Sequence, residues 1–325
     1  MSTSLNLHDY QPNGDNTYHE VLAGLQRVPK KLPPKLFYDE RGSQLFDQIC
    51  ELDEYYTTRT ESHITQSNID EIASVIGSQA LLIEYGSGSS AKTRILLDHL
   101  TDLAAYIPLD ISKEHLLTSA TELAKVYPDL EILPVSADYT ADFALPSVRK
   151  PVARRVVYFP GSTIGNFETE AAINFLDHIA AVCGPDGGLL IGVDLKKEPH
   201  ILHQAYNDRD GVTAAFNLNM LARLNRDLDM NFAVDQFGHY AFYNVYEGRV
   251  EMHLVSLANQ TVYLNGSTIE FAEGESIWTE SSYKYTPNEF AALASRVGFE
   301  VQQVWIDEQH LFSVQYLTMT GKTIR

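Results

Sequence analysis

Residues 156–167 read VVYFPGSTIGNF, an apolar β-branched run that breaks into a loop holding Pro160, Gly161, Gly165 and the amide of Asn166. Buried parallel strands read this way, and α/β sheets bind ligands just beyond the carboxyl ends of their strands. Glycines let a backbone approach a ligand there, and an amide side chain both donates and accepts. A second such loop follows ALLIEY (80–85), where Glu84-Tyr85-Gly86-Ser87-Gly88-Ser89-Ser90-Ala91 leads into a helix. Gly86 and Gly88 permit a tight turn that brings backbone N–H groups near a ligand. Asp110 ends the next strand, 24 residues after Gly86, where a carboxylate can accept from ribose hydroxyls. Asp138 ends the third strand and is followed by Tyr139, an acceptor for an exocyclic amine beside a ring for stacking. Either aspartate alone reads as a cap or a turn residue. Both at strand ends, in step with Gly86, point to a bound nucleoside. The glycine turn by itself does not separate NAD from other nucleosides.

The elements that must carry these residues alternate. A helix is expected over 62–77, a strand over 80–85, a helix over 91–102, a strand over 104–111 and a helix over 113–127. Strands over 131–138, 156–160 and 188–195 follow, with a helix over 170–183 before the last. Strands and helices in this rhythm imply a parallel sheet with right-handed crossovers. Residues 198–230 are then helix-rich, and 238–285 alternate like antiparallel strands, with Asn265-Gly266 as a hairpin signal. Thr286-Pro287-Asn288-Glu289 opens a helix with an N-cap, Pro at N1 and Glu at N3. Two closing strands, VQQVWID and FSVQYLTM, end the pattern. The expected division is 1–61 as an N-terminal segment joining the substrate-binding domain, 62–197 as the nucleoside-binding domain, 198–285 as an inserted subdomain, and 286–325 completing the sheet. Residues 1 to about 15, polar and containing Pro12 and Gly14, are expected to fray.

Bulk properties narrow the partners. Lys and Arg number 24 against 43 Asp and Glu, a formal charge of −19, which repels a phosphate backbone and an anionic membrane. No stretch approaches the roughly 20 apolar residues of a membrane span, and no basic-then-apolar leader opens the chain. Cys50 and Cys183 lie far apart without CxxC spacing, so a disulfide framework or zinc site is not expected and a reducing cytoplasm fits. The 11 histidines show no HxH or HExxH spacing, and no metal is expected.

The order Glu-x-Gly-x-Gly, acid, Asp, strand-four loop and Gly184-Pro185-Asp186-Gly187-Gly188 before a fifth strand resembles the S-adenosylmethionine-dependent class I methyltransferases. The resemblance implies an α/β fold: a Rossmann-like sheet with an inserted α+β substrate-binding subdomain and a last strand pair that runs antiparallel. It also implies S-adenosylmethionine as methyl donor, released as S-adenosylhomocysteine. Longer segments are more specific: LPPKLFYDERGSQLFDQICELDEYYTTRTE (32–61), IEYGSGSSAKTRILLD (83–98), YFPGSTIGNF, AYNDRDGVTAAFNLNML (205–221), VEMHL (250–254) and TESSYKY (279–285). They resemble the L-histidine Nα-methyltransferases of ergothioneine biosynthesis over nearly the whole chain from about residue 20.

That resemblance implies roles residue by residue. Tyr38 and Tyr55 would face the substrate, and Asn166 and Tyr206 would hold the α-amino and carboxylate end beside the Gly161 backbone. Met252, Glu280 and Ser282 would surround the side chain, the last two hydrogen-bonding an imidazole. Gly86, Gly88, Lys92, Asp110, Asp138 and Tyr139 would bind the cofactor; relatives often carry Phe where Tyr139 stands, which keeps the stacking but adds a hydroxyl needing a partner. Catalysis would fall to Asn166, Tyr38 and Tyr206, by orientation. No residue declares itself the base. The implied partner is a small-molecule amino acid, with no nucleic acid and no membrane, and the protein is expected to be a cytoplasmic monomer. Three other readings stand beside this one: a methyltransferase acting on tryptophan or another aromatic amine, an NAD-dependent oxidoreductase, and a silent S-adenosylmethionine-binding protein.

Overall fold

The computed structural model describes residues 5–10, 15–88, 90–138 and 143–319. Strands come in chain order as β1 (His8–Asp9), β2 (Lys30–Lys31), β3 (Ala80–Tyr85), β4 (Ala105–Asp110) and β5 (Val135–Ser136). Next are β6 (Arg154–Phe159), β7 (Gly188–Asp194), β8 (Phe237–Asn244), β9 (Arg249–Ser256) and β10 (Gln260–Leu264). The last are β11 (Ser267–Phe271), β12 (Ser276–Tyr283), β13 (Phe299–Ile306) and β14 (Phe312–Met319). The chain divides into two units, Met1–Gln11 with Thr57–Lys196 and Lys284–Arg325, and Pro12–Tyr56 with Lys197–Tyr283.

The first unit is built on an eight-stranded sheet of order β1-β5-β4-β3-β6-β7-β14-β13. Pairings from β1 to β7 are parallel, and β14 pairs antiparallel with both β7 and β13. The central strands β3, β4 and β7 are buried along nearly their whole length because both faces are covered, and their period of two sorts their side chains into two cores. Leu81, Ile83 and Tyr85 of β3 pack on one side with Phe175, Leu176 and Ile179 of the helix Thr169–Cys183. Ala80 and Leu82 pack on the other with Ile72 and Ile76 of the helix Ile69–Ile76 and Leu96 of the helix Ala91–Leu97.

Three expectations are corrected here. The helix expected over 62–77 is two helices, Tyr56–Ser67 and Ile69–Ile76, parted at Asn68, whose side-chain amide donates to the Ile64 carbonyl at 2.8 Å. A short polar side chain that bonds back to the main chain competes with the helix ladder. The strand expected over 131–138 shrinks to Val135–Ser136 with a separate bridge from Ile132 to Tyr106, and Pro134 between them has no N–H to give a ladder. Within the N-terminus expected to fray, His8 N donates to Pro134 O at 3.0 Å and Tyr10 N to Ser136 O at 2.8 Å. Those bonds place β1 on the sheet edge.

The second unit carries a four-stranded sheet of order β2-β12-β9-β8 and the separate hairpin β10-β11. The hairpin turns at Asn265 and Gly266, whose φ angles of 43° and 83° are the left-handed pair that a two-residue type I′ turn requires. β2 was not expected as a strand, whereas β8 opens the stretch 238–285 that was expected to alternate as antiparallel strands. The helix Glu40–Glu51 is capped by Asp39, whose carboxylate accepts from Gly42 N at 2.7 Å, from Asn219 Nδ2 at 2.8 Å and from Arg226 Nη2 at 2.9 Å. A Cβ at Gly42 would overlap the Phe37 carbonyl, so only glycine fits there. The FYDERGS motif is thus a capped turn that fixes Tyr38 at the mouth of the helix.

Candidate active site

In the first unit, β3 ends at Tyr85, and Gly86 N and Ser87 N both donate to Leu109 O, at 2.8 and 3.1 Å. Gly86 and Gly88 take φ angles of 75° and 48°, which glycine adopts without a Cβ penalty. The Asp110 carboxylate, at the end of β4, accepts from Gly88 N at 3.0 Å and from Ser112 N at 2.9 Å. It therefore splints the glycine loop, and a carboxylate with about four lone-pair sites still has capacity for a ligand's hydroxyls. Burial raises its pKa, while the Ser112 and Gly88 amides pull the other way. Asp138 is buried two residues beyond the end of β5, the strand beside β4. The buried hydroxyls of Ser87 and Ser136 have no hydrogen-bond partner among the described residues. Tyr139, the expected stacking ring, lies outside the described residues.

Glu84, the next-to-last residue of β3, is buried and accepts from the Thr93 hydroxyl at 2.6 and 2.7 Å and from the Tyr106 hydroxyl. Burial pushes its pKa up to about 7, although both hydroxyls and the nearby Lys92 charge lower it. The helix Ala91–Leu97 is thereby pinned to β3 and β4 behind the loop.

Lys92 opens that helix, and its ammonium pairs with the Glu61 carboxylate at 2.6 Å. Both Glu61 oxygens also accept from Gly161 N, at 3.0 and 3.1 Å. Lys92 and Gly161, expected on cofactor and substrate respectively, are thus brought together by a residue not singled out in the sequence. Gly161 and Ser162 follow β6 with φ angles of 77° and 59°, and a 3-10 turn, Thr163–Asn166, carries the half-buried Asn166. Among the described residues the Asn166 amide meets no hydrogen-bond partner. Lys284 and Asp194 form a further buried pair at 2.7 Å, and Asp194 N donates to Ser162 Oγ at 2.9 Å. The next-to-last residue of the TESSYKY motif is therefore a lysine that supports the loop.

In the second unit the expected substrate residues group themselves. Tyr38 meets Phe46 edge-on at 5.9 Å, Phe46 meets Tyr55 at 6.4 Å, and Tyr55 meets Tyr206 at 6.4 Å. The Tyr206 hydroxyl donates to Ser282 Oγ at 2.8 Å. On β12, Glu280 and Ser282 are two apart and share a face, and Glu280 stands directly opposite Met252 of β9. All three are buried. A register shift between Trp278 and Glu280 resets the strand, with the Trp278 indole donating to Glu280 O at 2.8 Å. Such a bulge re-aims the side chains that follow. One buried acid and one hydroxyl beside a thioether and an aromatic row can hold a flat, polar ring.

The strand order, with its parallel run closed by an antiparallel last pair, defines the first unit as a class I S-adenosylmethionine-dependent methyltransferase sheet. The glycine loop, Asp110 at the end of β4, Asp138 just beyond β5, and the Ser87 and Ser136 hydroxyls that lack a partner among the described residues fit a nucleoside-bearing cofactor there. The family described as histidine-specific methyltransferase, SAM-dependent, matches residues 17–319, and this chain belongs to it. The chain is 41% identical to the histidine N-alpha-methyltransferase of Mycobacterium tuberculosis over 89% of its own length and 90% of that protein. It is 42% identical to the histidine N-alpha-methyltransferase of Mycolicibacterium smegmatis, with the same coverage. The ergothioneine biosynthesis protein 1 of Neurospora crassa is 32% identical over 85% of this chain and 32% of that longer protein. Among the described residues no helix is long and apolar enough to cross a membrane, and no group of His, Cys, Asp or Glu could hold a metal.

Proposed function

We propose that this enzyme transfers methyl groups from S-adenosylmethionine to the α-amino nitrogen of L-histidine, up to three times, giving the trimethylbetaine hercynine for ergothioneine biosynthesis. When bound, the cofactor supplies an electrophilic sulfonium methyl. Gly86, Gly88, Asp110 and Asp138 would hold its nucleoside, and Tyr139 would stack on it. Lys92, the ammonium paired with Glu61, would face its carboxylate as a charge partner. Asn166 and the Gly161 backbone take the amine end, and Tyr38, Tyr55 and Tyr206 surround the amino acid. Their contribution is orientation, which supplies on the order of 7–11 kcal/mol in well-aligned reactions. The tyrosine faces favour the growing cation by about 0.5–2 kcal/mol each. In this reading the protein works in the cytoplasm as a monomer and needs no nucleic acid or membrane.

The observation that carries the choice of histidine is the buried pair Glu280 and Ser282 on one face of β12. An imidazole offers one N–H donor and one acceptor nitrogen, which a carboxylate and a hydroxyl answer together. A hydrogen bond to a charged group is worth about 1.5–3 kcal/mol, roughly 10- to 100-fold in affinity. An indole has a donor but no acceptor nitrogen, so a tryptophan enzyme would leave Ser282 without that use. Calorimetric titration of Glu280→Ala should show histidine affinity falling by that factor with S-adenosylhomocysteine affinity intact. Unchanged histidine affinity removes the assignment.

A further inference from the structure

We propose that Glu61 is a positioning residue for methyl transfer: its single buried carboxylate fixes the Gly161 amide, and with it the turn that carries Asn166, against Lys92 at the start of the cofactor-loop helix. This rests on the reading above. Glu61 is fully buried, and every partner seen for its carboxylate belongs to a loop or helix expected to touch a ligand. The packing is close on all sides. A Cβ on Gly161 would lie 3.4 Å from Lys92 Nζ, and a Cβ on Gly192 of β7 would overlap Glu61 Oε1. Gly192 is thus the hole in the sheet through which the acid reaches the loop.

The loop needs such a hold. Two consecutive residues, Gly161 and Ser162, lie in the left-handed region, and only the first is a glycine. A non-glycine residue there is strained and persists only where its surroundings impose it. Ser162 is held on one side through Asp194 and its buried partner Lys284. Gly161 is held on the other through Glu61 and its partner Lys92. From Gly161 the chain turns directly into Thr163–Asn166, with Gly165 N donating to Ser162 O at 2.9 Å. Loss of the Glu61 grip therefore displaces Asn166 without removing any group that touches substrate.

The test uses the full chain. In ligand-free wild type, the Gly161 amide should exchange with solvent deuterium far more slowly than an open loop, and exchange at the open-loop rate overturns the proposal before any variant is made. Glu61→Gln keeps an oxygen for the Gly161 amide but loses the charge, whereas Glu61→Ala loses both. With kcat counted per S-adenosylhomocysteine-binding site, the expected fall is about 10-fold for Gln and about 100-fold for Ala, the scale of a 1 Å misplacement. The KM for histidine should stay within about 3-fold, because no uniform binding contact is removed. Unchanged kcat per site with only a lower melting temperature makes Glu61 structural and overturns the proposal, as does a raised KM with kcat intact. If neither variant melts cooperatively, the exchange result decides. If wild type methylates a different amine, the histidine reading fails, and the same ranking measured on that amine still judges Glu61.

Discussion

Burial at Glu84 outweighs the Thr93 and Tyr106 hydroxyls and the Lys92 charge, and its pKa stands at about 7 against an ordinary 4.5. In the unfolded chain the same carboxyl ionises near 4.5, so across the window from 4.5 to 7 the folded state binds the extra proton. Stability from this group is full below that window and declines as pH rises through it. Glu84→Gln removes the titration, so the melting-temperature difference between wild type and variant should move against wild type from pH 4.5 to 7; a pH-independent difference contradicts the assignment. The sequence shows Glu84, Gly86, Asp110 and Asp138 plainly, because strand ends follow from hydrophobic period and ligands sit at strand ends. It does not show Glu61. That acid lies in a helix rich in Thr and Ser, and nothing local says that Gly192 opens a hole for it. Nor does it show that Lys92 pairs with Glu61, or that Tyr38, Tyr55 and Tyr206 join one aromatic row through Phe46.

At the scale of elements, local signals were legible and non-local ones were not. The Thr286 capping box is present in both directions, Glu289 N to Thr286 Oγ1 at 3.2 Å and Thr286 N to Glu289 Oε2 at 2.8 Å. The Asn265-Gly266 turn formed as written. β2 has two residues and owes its strand form to β12, so it does not announce itself, whereas β8 lies within the alternating stretch read from residue 238. The Asp39 cap belongs with these elements. Asp39→Ala strips three donors of their acceptor and should destabilise the fold by about 1–2 kcal/mol, seen as a lower denaturant midpoint. S-adenosylhomocysteine affinity should hold, since Asp39 belongs to the second unit. A midpoint equal to wild type contradicts the capping role given to Asp39 in FYDERGS.

For the whole molecule, a sheet of class I order and membership of an S-adenosylmethionine-dependent family set the nucleoside ligand as that of a methyltransferase rather than an NAD enzyme. A ligand that binds only the folded state stabilises it by about 2.7 kcal/mol at one hundred times its Kd. S-adenosylhomocysteine should therefore raise the melting temperature and NAD should not; the reverse pattern contradicts the cofactor assignment. The acid-and-hydroxyl face of Glu280 and Ser282 then decides the acceptor. The most direct measurement incubates the pure protein with S-adenosylmethionine and equal amounts of histidine, tryptophan and other amino acids, and reads product masses over time. A histidine product gaining three methyl groups, with tryptophan unchanged, is the expected result. Methylation of tryptophan in preference to histidine, or no methylated amino acid at all, contradicts the account.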